Sequence, residues 1–143
     1  MTSTVFFISM TIMAIFIAFE PTFANASSIN LKNQATNLRL DSNAEGHVYT
    51  LSPNGNKWQV WTIVNTHNNC VKLVNSATGR CLDSNHNGNV YALGCNGGNF
   101  QNWRFQNLRL VNCETNRCLD SNFAGNAYTL NCNGGQWQNW INA

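Results

Sequence analysis

The sequence predicts an all-β domain in which three repeats surround a pseudo-threefold axis. The tetrapeptide Leu-Asp-Ser-Asn occurs three times, at residues 40–43, 82–85 and 119–122. Each copy is followed by Gln-x-Trp, and each tryptophan lies 20 positions after its aspartate, as Trp61 does after Asp41. A period of about 40 residues indicates a repeat architecture. One such unit cannot bury its apolar face alone, so the three must share one core.

The strands of each unit are expected to be short, because clusters of Asn and Gly, which favour turns, interrupt the apolar segments. In the second repeat we predict strands over residues 80–83, 90–93 and 101–105, and turns at 75–79, 85–89 and 96–98. After residue 26, apolar residues never recur with a period of 3.6 over 11 positions, so helix should be nearly absent. Four strands in each of three units would give twelve.

The first 26 residues are predicted to be a secretory signal peptide. Residues 5–19 form an almost unbroken apolar run, and residues 24–26 read Ala-Asn-Ala, a small-x-small cleavage pattern. The run is shorter than the about 20 residues that a spanning helix needs. An uncleaved anchor is the alternative, because residues 1–4 contain no Lys or Arg.

Residues 27–143 then form one secreted domain, with repeats at approximately 27–65, 66–107 and 108–143. Its eight Lys and Arg residues are scattered among five Asp and Glu residues. A nucleic-acid-binding protein would cluster its basic residues, so no nucleic-acid partner is expected. No second apolar run follows, so no membrane span is expected either.

The six cysteines of a small secreted chain predict disulfides. Cys81 and Cys95 are 14 positions apart, as are Cys118 and Cys132, whereas the first repeat has other residues at both places. We therefore predict that each pair bridges within its own repeat. Whether Cys70 and Cys113 pair is left open. The chain has no Cys-x-x-Cys motif, and only one carboxylate recurs in every repeated motif, so neither zinc nor calcium is expected. No cofactor is predicted.

A sugar site needs a carboxylate or amide for the hydroxyl groups and an aromatic ring for the C–H face. Every repeat supplies both at one spacing. The candidates in the three repeats are Asp41, Tyr49, Asn54 and Trp58; Asp83, Tyr91, Asn96 and Phe100; and Asp120, Tyr128, Asn133 and Trp137. We assign the glutamines behind these pockets to loop support and the closing tryptophans to the core; they are Gln59, Gln101 and Gln138, and Trp61, Trp103 and Trp140.

Three copies of about 40 residues that each end in Gln-x-Trp resemble the ricin-type β-trefoil lectin family. The fuller 22-position motif, from Leu-Asp-Ser-Asn to Gln-x-Trp, is similar to that of its actinohivin-like, mannose-binding group. The resemblance covers essentially all of residues 27–143. It implies a β-trefoil fold and a monomeric, non-catalytic lectin with up to three sites for α-mannose or high-mannose glycans.

The resemblance also implies roles within each site. Asp and Asn would hydrogen-bond mannose hydroxyls, Tyr would bond and pack against the sugar, and the second aromatic residue would wall the pocket together with Leu51, Leu93 or Leu130. That group has Tyr as its second aromatic residue, where this chain has Trp or Phe. The first repeat departs furthest, with Pro53 in place of Cys and Asn56 in place of Gly, so its site is expected to be the weakest.

Other readings of the same residues exist. The aspartates could only cap turns, and the tyrosines could belong to the core. A secreted β-trefoil could also act through protein contacts, as a protease inhibitor or a toxin-like defence protein does, with its activity in the inserted segment 62–70. An enzyme is not expected, because apart from the repeated aspartate no second carboxylate recurs in the motifs to complete an acid and base pair.

Overall fold

A computed structural model describes residues 27–143, and the predicted signal peptide at residues 1–26 lies outside the described residues. The described chain forms short strands and three single-turn 3₁₀ helices. The strands are β1 (Ser28–Ile29), β2 (Leu31–Asn33), β3 (Arg39–Ser42), β4 (Val48–Leu51), β5 (Trp61–Asn65), β6 (Val71–Asn75), β7 (Cys81–Ser84), β8 (Val90–Leu93), β9 (Trp103–Gln106), β10 (Arg109–Asn112), β11 (Cys118–Ser121), β12 (Ala127–Leu130) and β13 (Trp140–Asn142). The 3₁₀ helices are Lys57–Gln59, Asn99–Gln101 and Gln136–Gln138.

The described residues form thirteen strands, one more than the twelve predicted, because the first strand is interrupted at Asn30. There the backbone N–H donates to the side chain of Asn142 at 3.1 Å instead of to a backbone carbonyl. The strand predicted over 101–105 was also placed too early. Gln101 closes a 3₁₀ turn by donating its backbone N–H to the Gly98 carbonyl, and β9 begins at Trp103.

All strand pairs are antiparallel. Hairpins β5–β6 and β9–β10 are each formed by neighbouring strands, whereas the third equivalent pair joins β13 to β2. The last strand therefore completes the first repeat. The remaining hairpins, β3–β4, β7–β8 and β11–β12, carry the repeated motif. This arrangement is the predicted β-trefoil.

A ring of three hydrogen bonds between repeats holds these motif hairpins together. In each bond a strand N–H donates to the carbonyl of a glycine in another repeat: Ala92 to Gly46, Thr129 to Gly88 and Thr50 to Gly125, at 2.8, 2.9 and 2.8 Å. The glycines have φ values of 86° to 90°. A Cβ atom on any of them would lie 2.3 to 2.8 Å from its partner's backbone oxygen. Both the conformation and the close approach therefore require glycine.

Three buried asparagines make a second set of contacts between segments. Their Nδ2 atoms donate to carbonyls in the 3₁₀ turns: Asn33 to Trp137, Asn75 to Trp58 and Asn112 to Phe100, at 2.6, 2.8 and 2.8 Å. Their Oδ1 atoms accept backbone N–H groups two and three residues further along, which closes the turn that follows each asparagine. Each asparagine thus fixes its own turn and the end of another unit's motif.

The closing tryptophans lie in the core, as predicted. Trp61 and Trp103 are fully buried and Trp140 is 4% exposed. Each indole N–H donates to the carbonyl of the leucine that opens the motif of its own repeat, at 2.9 to 3.1 Å. The tryptophan therefore fills the core and ties the end of the motif to its start, which accounts for the constant spacing between them.

The described residues contain three disulfides. Both predicted bonds are present, Cys81–Cys95 and Cys118–Cys132. Cys70 and Cys113, which the sequence left open, also pair across 43 positions. This third bond joins the inserted segment between β5 and β6 to the turn after β10. Closure of a loop of this length is worth about 4 kcal/mol in the chain-entropy model.

We predict that Gly46→Ala destabilises the protein by about 1–3 kcal/mol more than Gly55→Ala does. Both glycines have positive φ, 90° and 72°, so both variants carry the strain of a left-handed conformation. Only at Gly46 would the added Cβ meet a backbone oxygen, at 2.3 Å; at Gly55 it would enter open space. Chemical denaturation with the disulfides intact measures the difference. Equal losses of unfolding free energy would contradict the role of the glycine ring.

Candidate functional site

The hairpins of the motif place each aspartate directly opposite a tyrosine. The registers of β3–β4, β7–β8 and β11–β12 pair Asp41 with Tyr49, Asp83 with Tyr91 and Asp120 with Tyr128. Residues directly opposite each other in an antiparallel pair point to the same face. The leucine before each aspartate is fully buried in the core, so the aspartate points away from the core centre. The repeated motif therefore builds the same Asp and Tyr pair three times.

A buried glutamine supports the turn beside each aspartate, and in the first and third repeats it also donates to the aspartate itself. In the first and third repeats, Gln59 and Gln138 donate from Nε2 to Oδ2 of the aspartate at 3.0 Å. The same Nε2 atoms donate to a backbone carbonyl, that of Ser52 or Asn131, also at 3.0 Å. Gln101 makes the equivalent bond to the Gly94 carbonyl. The glutamines therefore support the pocket from behind, as their position next to the closing tryptophans suggested.

The aspartates themselves lie at the floor of the site, only 2–3% exposed. Burial raises the pKa of Asp83 and Asp120 above 3.8, and hydrogen bonds from the glutamine, the tyrosine and a backbone N–H oppose this rise in pKa. Asp83 and Asp120 therefore bind protons more readily than a free aspartate does. A turn-capping aspartate on the surface would not be buried in this way.

The tyrosines are partly exposed and do not belong to the core. Burial is the largest cause that raises the pKa of each phenol above 10.0, and the charge of the facing aspartate raises it further. For Tyr49 the charge of Glu45 adds to this effect. The phenols consequently stay protonated through neutral pH and keep an O–H group at the site.

The three motif asparagines, Asn54, Asn96 and Asn133, lie at the exposed rim of the site. Each accepts at Oδ1 a backbone N–H from the residue two positions further on, at 2.8 to 3.0 Å. Their own backbone N–H groups donate to Oε1 of the buried glutamine at 2.9 to 3.2 Å. The Oδ1 bond orients each side-chain amide. In the second and third repeats the Nδ2 group is the donor that can face a ligand, whereas in the first repeat Nδ2 of Asn54 donates to Oδ2 of Asp41 at 3.5 Å.

Apolar side chains form the walls. Leu51, Leu93 and Leu130 are 41–46% exposed although they are large and apolar. Trp58 and Phe100 are half-buried, and Trp137 is 37% exposed. In the third repeat these groups line an open, shallow cavity of about 340 Å³. It is lined by Asp120, Asn122, Tyr128, Leu130, Asn133 and Trp137.

All five predicted residues of the third repeat thus lie around one cavity, together with one that the sequence analysis did not assign. That residue is Asn122, the last member of Leu-Asp-Ser-Asn, and its recurrence at Asn43 and Asn85 was the available signal. The residue after it, Phe123, packs against the Trp137 ring. No repeat signal could have found Phe123, because each repeat has a different residue there.

Within residues 27–143, no three His, Cys, Asp or Glu side chains are grouped as metal ligands. The same part of the chain contains no helix that is long and apolar enough to cross a membrane.

We predict that Gln138→Glu lowers the free energy of unfolding at pH 7 by at least about 2 kcal/mol, because it removes a buried donor and places a second carboxyl beside Asp120. Gln136→Glu is the matched control, since Gln136 is exposed two positions away. The loss should shrink as the pH falls and the carboxyl pair takes up a proton. If thermal or chemical denaturation shows equal stability for both variants at pH 7, the glutamine does not hold the site.

Comparison with known proteins supports the fold independently. ThreeFoil, a designed threefold-symmetric protein, superposes with a TM-score of 0.73 at 26% identity, over 79% of this chain and 95% of its own. The hemolytic lectin CEL-III gives a TM-score of 0.70 at 26% identity, over 81% of this chain but 30% of its own. SeviL, solved with the asialo-GM1 saccharide, gives 0.70 at 15% identity, over 81% and 95%.

A search of curated protein sequences gave no significant match. By contrast, residues 27–140 match the family model of the ricin-type beta-trefoil lectin domain. This match covers most of the chain and agrees with the architecture of the three repeats. The chain therefore belongs to the ricin-type β-trefoil lectin domain family, a family of carbohydrate-binding proteins.

Proposed function

We propose that the protein is a secreted, monomeric and non-catalytic lectin with up to three sites for α-mannose at the ends of high-mannose glycans. The observation that carries this proposal is the buried aspartate at the floor of a pocket whose walls are apolar. Burying a carboxylate is unfavourable unless hydrogen bonds compensate, so a folding repeat alone would not need one there. Its presence at the same place in all three repeats is what a copied binding site requires.

The chemistry of the pocket suits a sugar edge. In the first and third repeats Oδ2 of the aspartate accepts from the glutamine, and the carboxylate lone pairs that no protein donor occupies are available to ligand hydroxyls. The asparagine amide and the tyrosine O–H add donors at the rim. The exposed leucine and aromatic ring can pack against the C–H face of the same sugar.

The mannose assignment comes from the resemblance of the 22-position motif to the actinohivin-like group. Secretion is proposed from the predicted signal peptide, and three disulfides agree with an oxidising compartment. The signal peptide and the cleavage site after Ala26 are tested by the N-terminal residue of the exported protein. A chain that begins at Ser27 is the expected product.

The absence of catalysis is proposed from the carboxylates of the motif. Only the first repeat has a second acid near its tyrosine, Glu45, and the equivalent residues in the others are Asn87 and Ala124. Hydrolysis of a glycosidic bond ordinarily uses two carboxylates that flank it. A lectin function requires only the one that every repeat contains.

Three sites on one rigid body would matter for affinity. Single-sugar pockets bind weakly, and sites arranged around a threefold axis engage a branched or clustered glycan surface better than one small glycan. Rigid linkage can raise avidity by about 10² to 10⁴ without new contacts. The ring of glycine hydrogen bonds would fix this spacing.

We predict that Asp83→Asn and Asp120→Asn each reduce binding of methyl α-mannoside at their own site by about 10-fold or more, because a charged acceptor is lost. Asp41→Asn should reduce the affinity for the sugar least, since the first site departs furthest from the motif. Glu114→Gln is the control, since Glu114 is an exposed acid outside the three motifs. Isothermal titration measures affinity and stoichiometry.

Methyl α-glucoside, which differs only at C2, is the ligand control for the same titration. If the intact protein binds neither sugar nor any mannose-terminated glycan on an array, the mannose assignment is wrong. If it binds no glycan at all, the lectin proposal fails, and a function through protein contacts takes its place.

Binding should also depend on pH. The pKa of Asp83 and Asp120 lies above 3.8, so these carboxylates become protonated, and lose their charge, at a higher pH than a free aspartate does. We predict that affinity at these sites falls as the pH is lowered, beginning above pH 3.8. Burial raises the pKa of the three phenols, so their deprotonation should not lower affinity around neutral pH.

Stability should respond to these aspartates in the opposite direction. A raised pKa in the folded state means that the folded protein binds protons more tightly than the unfolded chain. This contribution to stability is fully present below 3.8 and is lost as the pH rises through the raised pKa. Circular dichroism recorded with each titration separates the two effects. Loss of binding only where the fold also melts would contradict the assignment.

A further inference from the structure

The three sites differ at the residue that follows Leu-Asp-Ser-Asn. This residue is Ala44 in the first repeat, His86 in the second and Phe123 in the third, and all three are exposed. Leu-Asp-Ser-Asn before this position and the glycine two positions after it recur in all three repeats, whereas the residue between also varies, as Glu45, Asn87 and Ala124. The difference is therefore confined to the surface beside each pocket, where it can alter the ligand without altering the fold.

Phe123 makes the largest difference. It is 72% exposed, the highest value among the exposed large apolar side chains of the described residues. Its ring meets the Trp137 ring edge to face, with centroids 4.9 Å apart and planes at 87°. This geometry is one that aromatic pairs favour, so the contact holds the Phe123 ring in place. Most of that ring is nevertheless open to solvent.

The pair extends the cavity of the third repeat. Trp137 lines that cavity together with Asp120 and Leu130, and Phe123 continues its apolar wall outward. Trp137 and Leu130 are themselves 37% and 41% exposed. Exposed aromatic surface that is continuous with a polar floor suits a ligand with one ring in the cavity and an adjoining ring outside it.

We propose that Phe123 and Trp137 form a subsite for a second sugar ring, next to the ring bound over Asp120. This inference rests on the proposed lectin function. The C–H face of the second sugar packs against the open aromatic surface, so the third site prefers a disaccharide to a monosaccharide. In the second site the equivalent residue is His86, whose ring is smaller and polar. It packs edge to face on Phe100, with the ring centroids 5.3 Å apart. The first site has only the methyl group of Ala44.

Titration followed by NMR at the indole N–H groups tests this assignment site by site, because Trp137 reports on the third site and Trp58 on the first. The probes are methyl α-mannoside and α1,2-linked mannobiose. At Trp137 we expect the disaccharide to bind about fivefold to tenfold more tightly than the monosaccharide, which is the gain expected from one aromatic contact. At Trp58 we expect less than a twofold preference.

Phe123→Ala should abolish the preference at Trp137 and leave monosaccharide affinity within about twofold, because Phe123 lies outside the cavity. His86→Ala is the matched control at the same position of the second repeat, and it should leave the Trp137 titration unchanged. Ala44→Phe should create a disaccharide preference at Trp58, and this gain cannot arise from damage to the fold.

The outcomes separate this inference from the function on which it rests. If Trp137 responds to neither sugar, the lectin proposal fails and the subsite with it. If the monosaccharide binds but Phe123→Ala leaves the disaccharide affinity unchanged, the subsite is wrong and the lectin proposal stands. The same result is expected if Phe123 belongs to a surface for protein contacts instead of a sugar subsite.

Discussion

The buried glutamine amide is the interaction on which both the fold and the candidate site depend. Its Oε1 accepts the backbone N–H of the rim asparagine, and its Nε2 donates to a carbonyl seven residues earlier. In the first and third repeats the same Nε2 also donates to the aspartate at the pocket floor. One side chain therefore closes the loop between the strands and orients the carboxylate. A change at this glutamine alters both together.

Contacts between repeats then place the three sites relative to one another. The glycine ring joins the motif hairpins around the axis, and the buried asparagines fasten the 3₁₀ turns that contain the second aromatic residues. Because these bonds are between backbone groups or buried amides, little freedom remains in the spacing of the pockets. The pairing of β13 with β2 gives the first repeat the same support that the others receive from neighbouring strands.

Sequence reasoning reached the threefold β fold, the core tryptophans and two disulfides because each depends on spacing that recurs in the chain. It could not settle the Cys70–Cys113 bond, since these residues have no repeat equivalents and meet only through tertiary packing. It placed the start of β9 too early, because no residue pattern in the motif indicates the 3₁₀ turn that precedes this strand. Phe123 was missed for the related reason that it interrupts the repetition. Residues that recur in the sequence identify what the three sites share, whereas the contacts of residues that differ between the sites are seen only in the structure.

We propose that each repeat carries a binding site together with its scaffold. A crystal structure of residues 27–143 with methyl α-mannoside tests it most directly. We expect a sugar in the pockets over Asp83 and Asp120, with ring hydroxyls within hydrogen-bond distance of the carboxylates and the C–H face against the leucine and aromatic walls. A protein that binds the sugar in solution but holds it away from all three aspartates would overturn this proposal.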